Sequence, residues 1–181
     1  MTTKLRLLPA PLALALGMAL LSGCATPKGQ LVVGTVGPQN PRGSTSGGFG
    51  QLQVFTQTVQ NNDGGILYPV HTAYWIYTTN GFRVKSVQNH VGPNDMSPMV
   101  VVIPAGLYHV IARADRYGII TVPTVIEGNR LTQIYLDSTG LPAIPGEDSA
   151  KLVHLPDGPA IGFRAGPPPP PPPPPAAAPQ K

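Results

Sequence analysis

The chain has 181 residues, of which 11% are charged, 6% aromatic, 24 proline, 21 glycine and one cysteine. So little charge beside frequent Val, Ile, Thr and Tyr favours strands and turns over helices, and a single cysteine excludes an intrachain disulfide. The basic residues are scattered from Lys28 to Lys181, which excludes a dense patch for nucleic acid.

The first residues carry Lys4 and Arg6, then an apolar run from Leu7 to Leu20, then Leu21-Ser22-Gly23-Cys24. Basic start, apolar middle and small residues before a cut are the order of a signal peptide, here residues 1–23. Its removal takes two of the 12 basic residues, leaving 10 against 8 acidic, or +2. The apolar run is too short for a transmembrane helix and contains Pro9 and Pro11. Leu21-Ser22-Gly23-Cys24 resembles the lipobox of bacterial lipoproteins. That resemblance implies cleavage between Gly23 and Cys24, a diacylglyceryl group on the Cys24 thiol and further acylation, such as palmitate, on the new amino group. Each buried methylene adds about 0.8 kcal/mol, so two or three chains anchor firmly where one does not. The implied place is the bacterial cell envelope. Ala25, rather than Asp, after the cysteine implies the outer membrane.

Residues 24–50 read as a flexible tether rich in Gly and Pro, with one short strand at Leu31-Val32-Val33. From 51 to 137 strand-like runs alternate with turns about every ten residues, the pattern of a β-sandwich. Leu52, Val54 and Thr56 share one face of a first strand. Asn61-Asn62-Asp63-Gly64-Gly65 is a turn. Thr72–Thr78 is a strand with Ala73, Trp75 and Tyr77 expected inward and Tyr74 and Ile76 outward. Asn80-Gly81 is expected to make a type I′ hairpin turn into Phe82–Gln88. Met99–Ile103 is an apolar strand. Leu107–Ala114 alternates, with Tyr108, Val110, Ala112 and Ala114 inward. Ile119–Ile126 follows, with Pro123 expected at an edge or bulge because it cannot donate to a ladder. Arg130–Leu136 is the last strand.

Pro104-Ala105-Gly106-x-Tyr108-x-Val110, followed by Ala114-Asp115-Arg116-Tyr117-Gly118, resembles the carboxypeptidase regulatory-like domains and their transthyretin-like relatives. The resemblance covers about half of the chain and implies a seven-stranded Greek-key sandwich. Arg116 departs from it, standing where glycine is common. The Pro-Glu-Gly-Ala signature of a related repeat family is missing from the sequence, and no peptidase domain accompanies the motif.

Residues 138–166 contain Pro142, Pro145, Pro156 and Pro159 and read as irregular, with Lys151-Leu152-Val153 docking on the domain. The sandwich is therefore expected to fold alone from Gly50 to Ser138. Residues 167–181 form a proline-rich tail. Pro167 to Pro175 is uninterrupted, and as polyproline II such a run reaches about 28 Å. It reads as a solvated tail, with a spacer or a ligand for an aromatic groove as the alternatives.

No catalytic arrangement stands out. His71, His90, His109 and His154 lack metal-ligand spacing, the serines lack a nucleophile elbow, and the few carboxylates sit mostly at turns. No cofactor, no metal and no enzymatic activity are expected. The remaining lead is aromatic: Tyr68, Tyr74, Tyr117 and Tyr135 are candidates for a ligand surface, with ordinary packing as the alternative. The expected function is a lipid-anchored, non-catalytic sandwich that binds or scaffolds an envelope protein. The alternative is a carbohydrate- or peptidoglycan-binding module. Aligned exposed aromatics favour the sugar, an unpaired edge strand favours a protein partner, and a His–Asp cleft favours an enzyme.

Overall fold

The computed structural model describes residues 30–40, 47–89 and 97–166. The whole expected signal, residues 1–23 with Gly23, the lipid site Cys24, residues 90–96 with His90 and Asp95, and the proline run lie outside them. Thirteen strands form the described fold: β1 Leu31–Val32, β2 Val36–Gly37, β3 Phe49–Phe55, β4 Thr58–Asp63, β5 Ile66–His71, β6 Tyr74–Thr78, β7 Arg83–Val87, β8 Val100–Pro104, β9 Gly106–Ala114, β10 Gly118–Ile126, β11 Leu131–Tyr135, β12 Leu152–His154 and β13 Ala160–Arg164. Among the described residues the only helix is one 3₁₀ turn, Ser149–Lys151, capped by the Asp148 carboxylate.

The expected seven-stranded sandwich is present at the centre of this set. Strands run β7-β6-β9-β10 in one sheet and β8-β3-β11 in the other. β8 returns to pair with β3 across the intervening β6–β7 hairpin, the Greek-key return. β11 then lies parallel to β3, from Leu131 beside Gln51 to Tyr135 beside Phe55. Leu52, Val54, Val101, Ile103, Ile134 and Leu136 from the small sheet meet Ile76, Val110, Ala112, Ile120 and Val122 from the large one. Each large apolar side chain buried in this way contributes about 1.5–3 kcal/mol.

The fold extends beyond residues 51–137 in both directions. The expected tether contains β1 and β2, both parallel to β10, and Val36 is fully buried. The expected irregular segment contains β12 and β13, and β13 pairs with β2. Val153, Leu155 and Ile161 join the core, so Lys151-Leu152-Val153 does dock. The large sheet thereby runs β12-β13-β2-β10-β9-β6-β7. Glycine and proline, read as linker composition, here permit close approach. A Cβ on Gly162 of β13 would stand 2.9 Å from the Gln133 carbonyl of β11.

Alternation in β9 holds as expected, with Tyr108, Val110, Ala112 and Ala114 buried. The Tyr108 hydroxyl reaches back to donate to the Pro104 carbonyl (3.0 Å) and fixes the corner between sheets. Strand β6 is turned over relative to expectation. Tyr74 and Ile76 are inward and fully buried, and Trp75 and Tyr77 face outward. Pairing dictates this. Ile76 lies opposite Val110 and Trp75 opposite Ile111, and directly opposed residues share a face. Val84 is exposed beside a register shift in the β6–β7 pair.

Two turns exchange types. Gly64 and Gly65 both have positive φ (59° and 91°) between Asp63 and Ile66, so the type I′ hairpin is here. At Asn80-Gly81 only Gly81 is left-handed (φ 83°), and the Gly81 amide donates to the Thr78 carbonyl at 3.0 Å. That is a three-residue loop, and the register shift lies beyond it, where Val84 is the extra residue between Arg83 and Lys85. Pro123 is inside the sheet rather than on an edge. The Val33 amide donates to the Thr121 carbonyl, so the missing amide of Pro123 faces the same side. The pairing with β10 breaks there, between β1 and β2. Arg116 takes φ 69° in the β9–β10 turn, where a residue other than glycine is disfavoured by about 1–2 kcal/mol.

Candidate functional site

Three of the four tyrosines expected on a ligand surface, Tyr68, Tyr74 and Tyr135, do not form one. Tyr74 is fully buried between the sheets, and burial pushes its hydroxyl pKa well above the ordinary tyrosine range. Tyr68 is buried in the β4–β5 hairpin, where its hydroxyl accepts from Asn61 Nδ2 at 2.8 Å. Tyr135 is buried and stacks on Phe55, with ring centres 4.4 Å apart and planes 8° apart. Its pKa is raised, first by burial and then by the Asp137 carboxylate. Each of the three packs instead of presenting a face.

His71 and Asp137 share a cleft with Phe55, Tyr135 and Ser138. Phe55 meets the His71 ring edge-on at 5.9 Å. His71 Nδ1 lies 2.6 Å from the Thr56 carbonyl. A carbonyl only accepts, so Nδ1 carries the proton and the bond orients the ring. The Asp137 carboxylate accepts from Thr139 Oγ1 (2.7 Å) and the Gly140 amide (3.3 Å), closing the turn after β11. Both groups with acid–base chemistry are thus committed to local structure. Among the described residues no three of His, Cys, Asp and Glu gather as metal ligands.

Two surfaces remain. The first is an aromatic groove on the outer face of the large sheet, produced by the inverted β6. Trp75, Tyr77, Ile111 and Ile119 line it, with Arg83 at one side and Tyr117 and Leu31 at the other. The aromatics that the sequence assigned to the core are here; the β6–β9 register is the signal that finds them.

The second is the edge of β8 that no strand among the described residues pairs. Apart from the separate β4–β5 hairpin, the two sheets of the sandwich present four outer edges, and three are blunted. β7 carries Arg83, Lys85 and the register shift. β12 has three residues and a register shift. β11 is covered by β13 through Gly162. Charge, bulges, shortness and cover are the usual protections of an edge. β8 reads Val100-Val101-Val102-Ile103-Pro104, pairs with β3 through five positions without a shift, and carries no charge. Only the terminal Pro104 blunts it. Val100 and Val102 are 45% and 57% exposed. Beside them on the outer face stand Gln51, Gln53, Gln133 and the exposed Phe49 and Leu131. Gln133 Nε2 donates to Gln53 Oε1 at 3.0 Å, and Gln53 Nε2 donates to the Pro98 carbonyl at 3.0 Å. The face is uncharged, and two of its three amides, Gln53 and Gln133, are tied together.

No family model, curated protein or solved structure matches the chain. No helix among the described residues is long and apolar enough to cross a membrane.

Proposed function

We propose that this chain is a lipid-anchored envelope protein whose non-catalytic sandwich binds an extended segment of a protein partner along β8. The unprotected β8 edge is the observation that carries the reading. Its outer backbone groups, which no strand among the described residues pairs, offer ladder hydrogen bonds, and Val100 and Val102 offer apolar contacts at alternate positions, the chemistry of strand addition. The Lys4–Cys24 pattern supports the anchor, which would hold the sandwich at the outer membrane.

The test is capture from the bacterium's own envelope by the lipidated chain, comparing wild type with Val102→Lys and Cys24→Ser. Both Val102→Lys and wild type should melt alike, since the site faces solvent. Wild type should capture one main protein that Val102→Lys loses. Cys24→Ser should lose a fatty-acid label and leave the membrane fraction. Equal capture by Val102→Lys refutes the β8 reading; equal label in Cys24→Ser refutes the anchor. A pure polysaccharide retained by all three favours the carbohydrate reading instead.

A further inference from the structure

We propose that the aromatic groove on the outer face of the large sheet is the docking site for the chain's own proline run, Pro167–Pro175. This inference is independent of the β8 reading and uses the opposite sheet.

The chemistry of the two surfaces is complementary. A polyproline II segment has no internal hydrogen bonds, and proline carbonyls only accept. The groove offers donors among apolar walls. Trp75 Nε1, the Tyr77 hydroxyl and the Arg83 guanidinium stand among Ile111, Ile119 and Leu31. No carboxylate lines the groove; Gln30 is its one side-chain amide, so donors outnumber acceptors along it. Aromatic-lined grooves are the common receptors of proline-rich segments because the ligand is already extended and loses little entropy. Beside the groove, the Tyr117 hydroxyl donates to a prolyl carbonyl, Pro156 O, at 2.6 Å.

The exit point and length of the tail agree with this. The Ala165 amide donates to the Thr35 carbonyl at 3.0 Å, so the described chain ends, at Gly166, one residue past a bond to Thr35. Leu31, at the β1 wall, is four residues away along the chain, at most about 14 Å. From β1 across β10, β9 and β6 to β7 is four strand spacings, about 19 Å. The nine prolines reach about 28 Å. The run therefore reaches Leu31 and crosses most of the groove, and Ala176–Lys181 extends it further.

Trp75 is the only tryptophan in the chain, so the groove carries its own reporter. The experiment compares acrylamide quenching of Trp75 in the full chain and in a chain ended after Gly166, which keeps every strand. The full chain should show less than half the quenching constant of the shortened one, at the same melting temperature. A synthetic peptide of residues 166–181, added to the shortened chain, should restore the protection saturably. Tyr77→Ala and Arg83→Ala in the full chain should each remove most of the protection. Protection in the full chain should not change on dilution. Equal quenching of the two chains, with no saturable effect of the peptide, overturns the proposal. Protection that fades on dilution assigns the tail to a second copy and overturns docking within one chain. Protection of Trp75 by a chitin or peptidoglycan oligosaccharide and not by the peptide overturns it in favour of a sugar.

Discussion

Ending the chain at Ser138 should abolish cooperative folding, although the seven strands of the central sandwich all precede that point. The cut removes β12 and β13 and with them Val153, Leu155 and Ile161, which are 2%, 4% and 0% exposed. At about 1.5–3 kcal/mol for each buried side chain, the loss is about 5–9 kcal/mol. Burial measured against an extended chain is an upper bound, yet even the lower figure rivals the whole stability of a domain, about 5–15 kcal/mol. Two further effects point the same way. Val36, fully buried, loses the Gly162 backbone that it packs on, and β11 loses the strand that covers its edge. Urea unfolding followed by far-ultraviolet circular dichroism is the assay, with a chain ended after Gly166 as the control. The control should unfold in one transition; the Ser138 chain should show a broad, shallow change or precipitate. A Ser138 chain with a sharp transition at the control's midpoint would refute the assignment of the later strands to the core.

Two predictions address the buried face of β6. The Tyr74 hydroxyl is buried with no hydrogen-bond partner among the described residues, and an unsatisfied buried group costs about 1–3 kcal/mol. Tyr74→Phe should therefore be neutral or more stable by about 1 kcal/mol. A clear loss in urea melts would show that the hydroxyl has a partner. The same residue sets an alkaline limit. Its pKa in the folded chain is raised above the ordinary 10.0 by burial, so above that pH the unfolded chain releases a proton that the folded chain retains. Stability should be flat below about pH 9 and fall as pH rises past about 10, less steeply in Tyr74→Phe. A residual slope should persist from Tyr108 and Tyr135, whose pKa values are also raised. Ile76→Ala should cost about 2–5 kcal/mol, whereas Trp75→Ala on the outer face should cost about 1 kcal/mol or less. The reverse order in denaturant melts would return Trp75 to the core.

Most of the central sandwich was legible because its strands alternate cleanly. In β9 the inward residues are Tyr108, Val110, Ala112 and Ala114, and His109 and Arg113 on the other face leave no second solution. In β6 the sequence Tyr74-Trp75-Ile76-Tyr77 is apolar on both faces, so local alternation cannot choose one. The choice comes from pairing Ile76 with Val110, and register between distant strands is not written locally. The same ambiguity misplaced the candidate aromatics: Tyr74 went to the surface and Trp75 to the core. Asn80-Gly81 carried the strongest type I′ signal, yet the extra residue Thr79 selects a three-residue loop. The Gly64-Gly65 pair, with no such extra residue, makes the two-residue turn instead.

The flanking segments were misread for a related reason. Glycine and proline mark linkers, but strands that seal a sheet edge need the same residues. Gly162 admits the Gln133 carbonyl, and a Cβ on Gly37 would stand 2.9 Å from Ala165 Cα. These late strands close the β11 edge and lengthen the large sheet, and they leave β8 uncovered. Stability alone does not require valine at 100 and 102. Both face solvent, where a substitution ordinarily changes stability by about 0.5 kcal/mol or less, and a lysine at either would protect the edge. A chain that blunts β7 with Arg83 and Lys85, and β11 with a whole added strand, yet keeps an uncharged β8 beside an uncharged glutamine face, has an edge suited to pairing. The cost is exposure to unwanted strand pairing, and a membrane anchor that restricts the sandwich to one surface would limit the partners it meets.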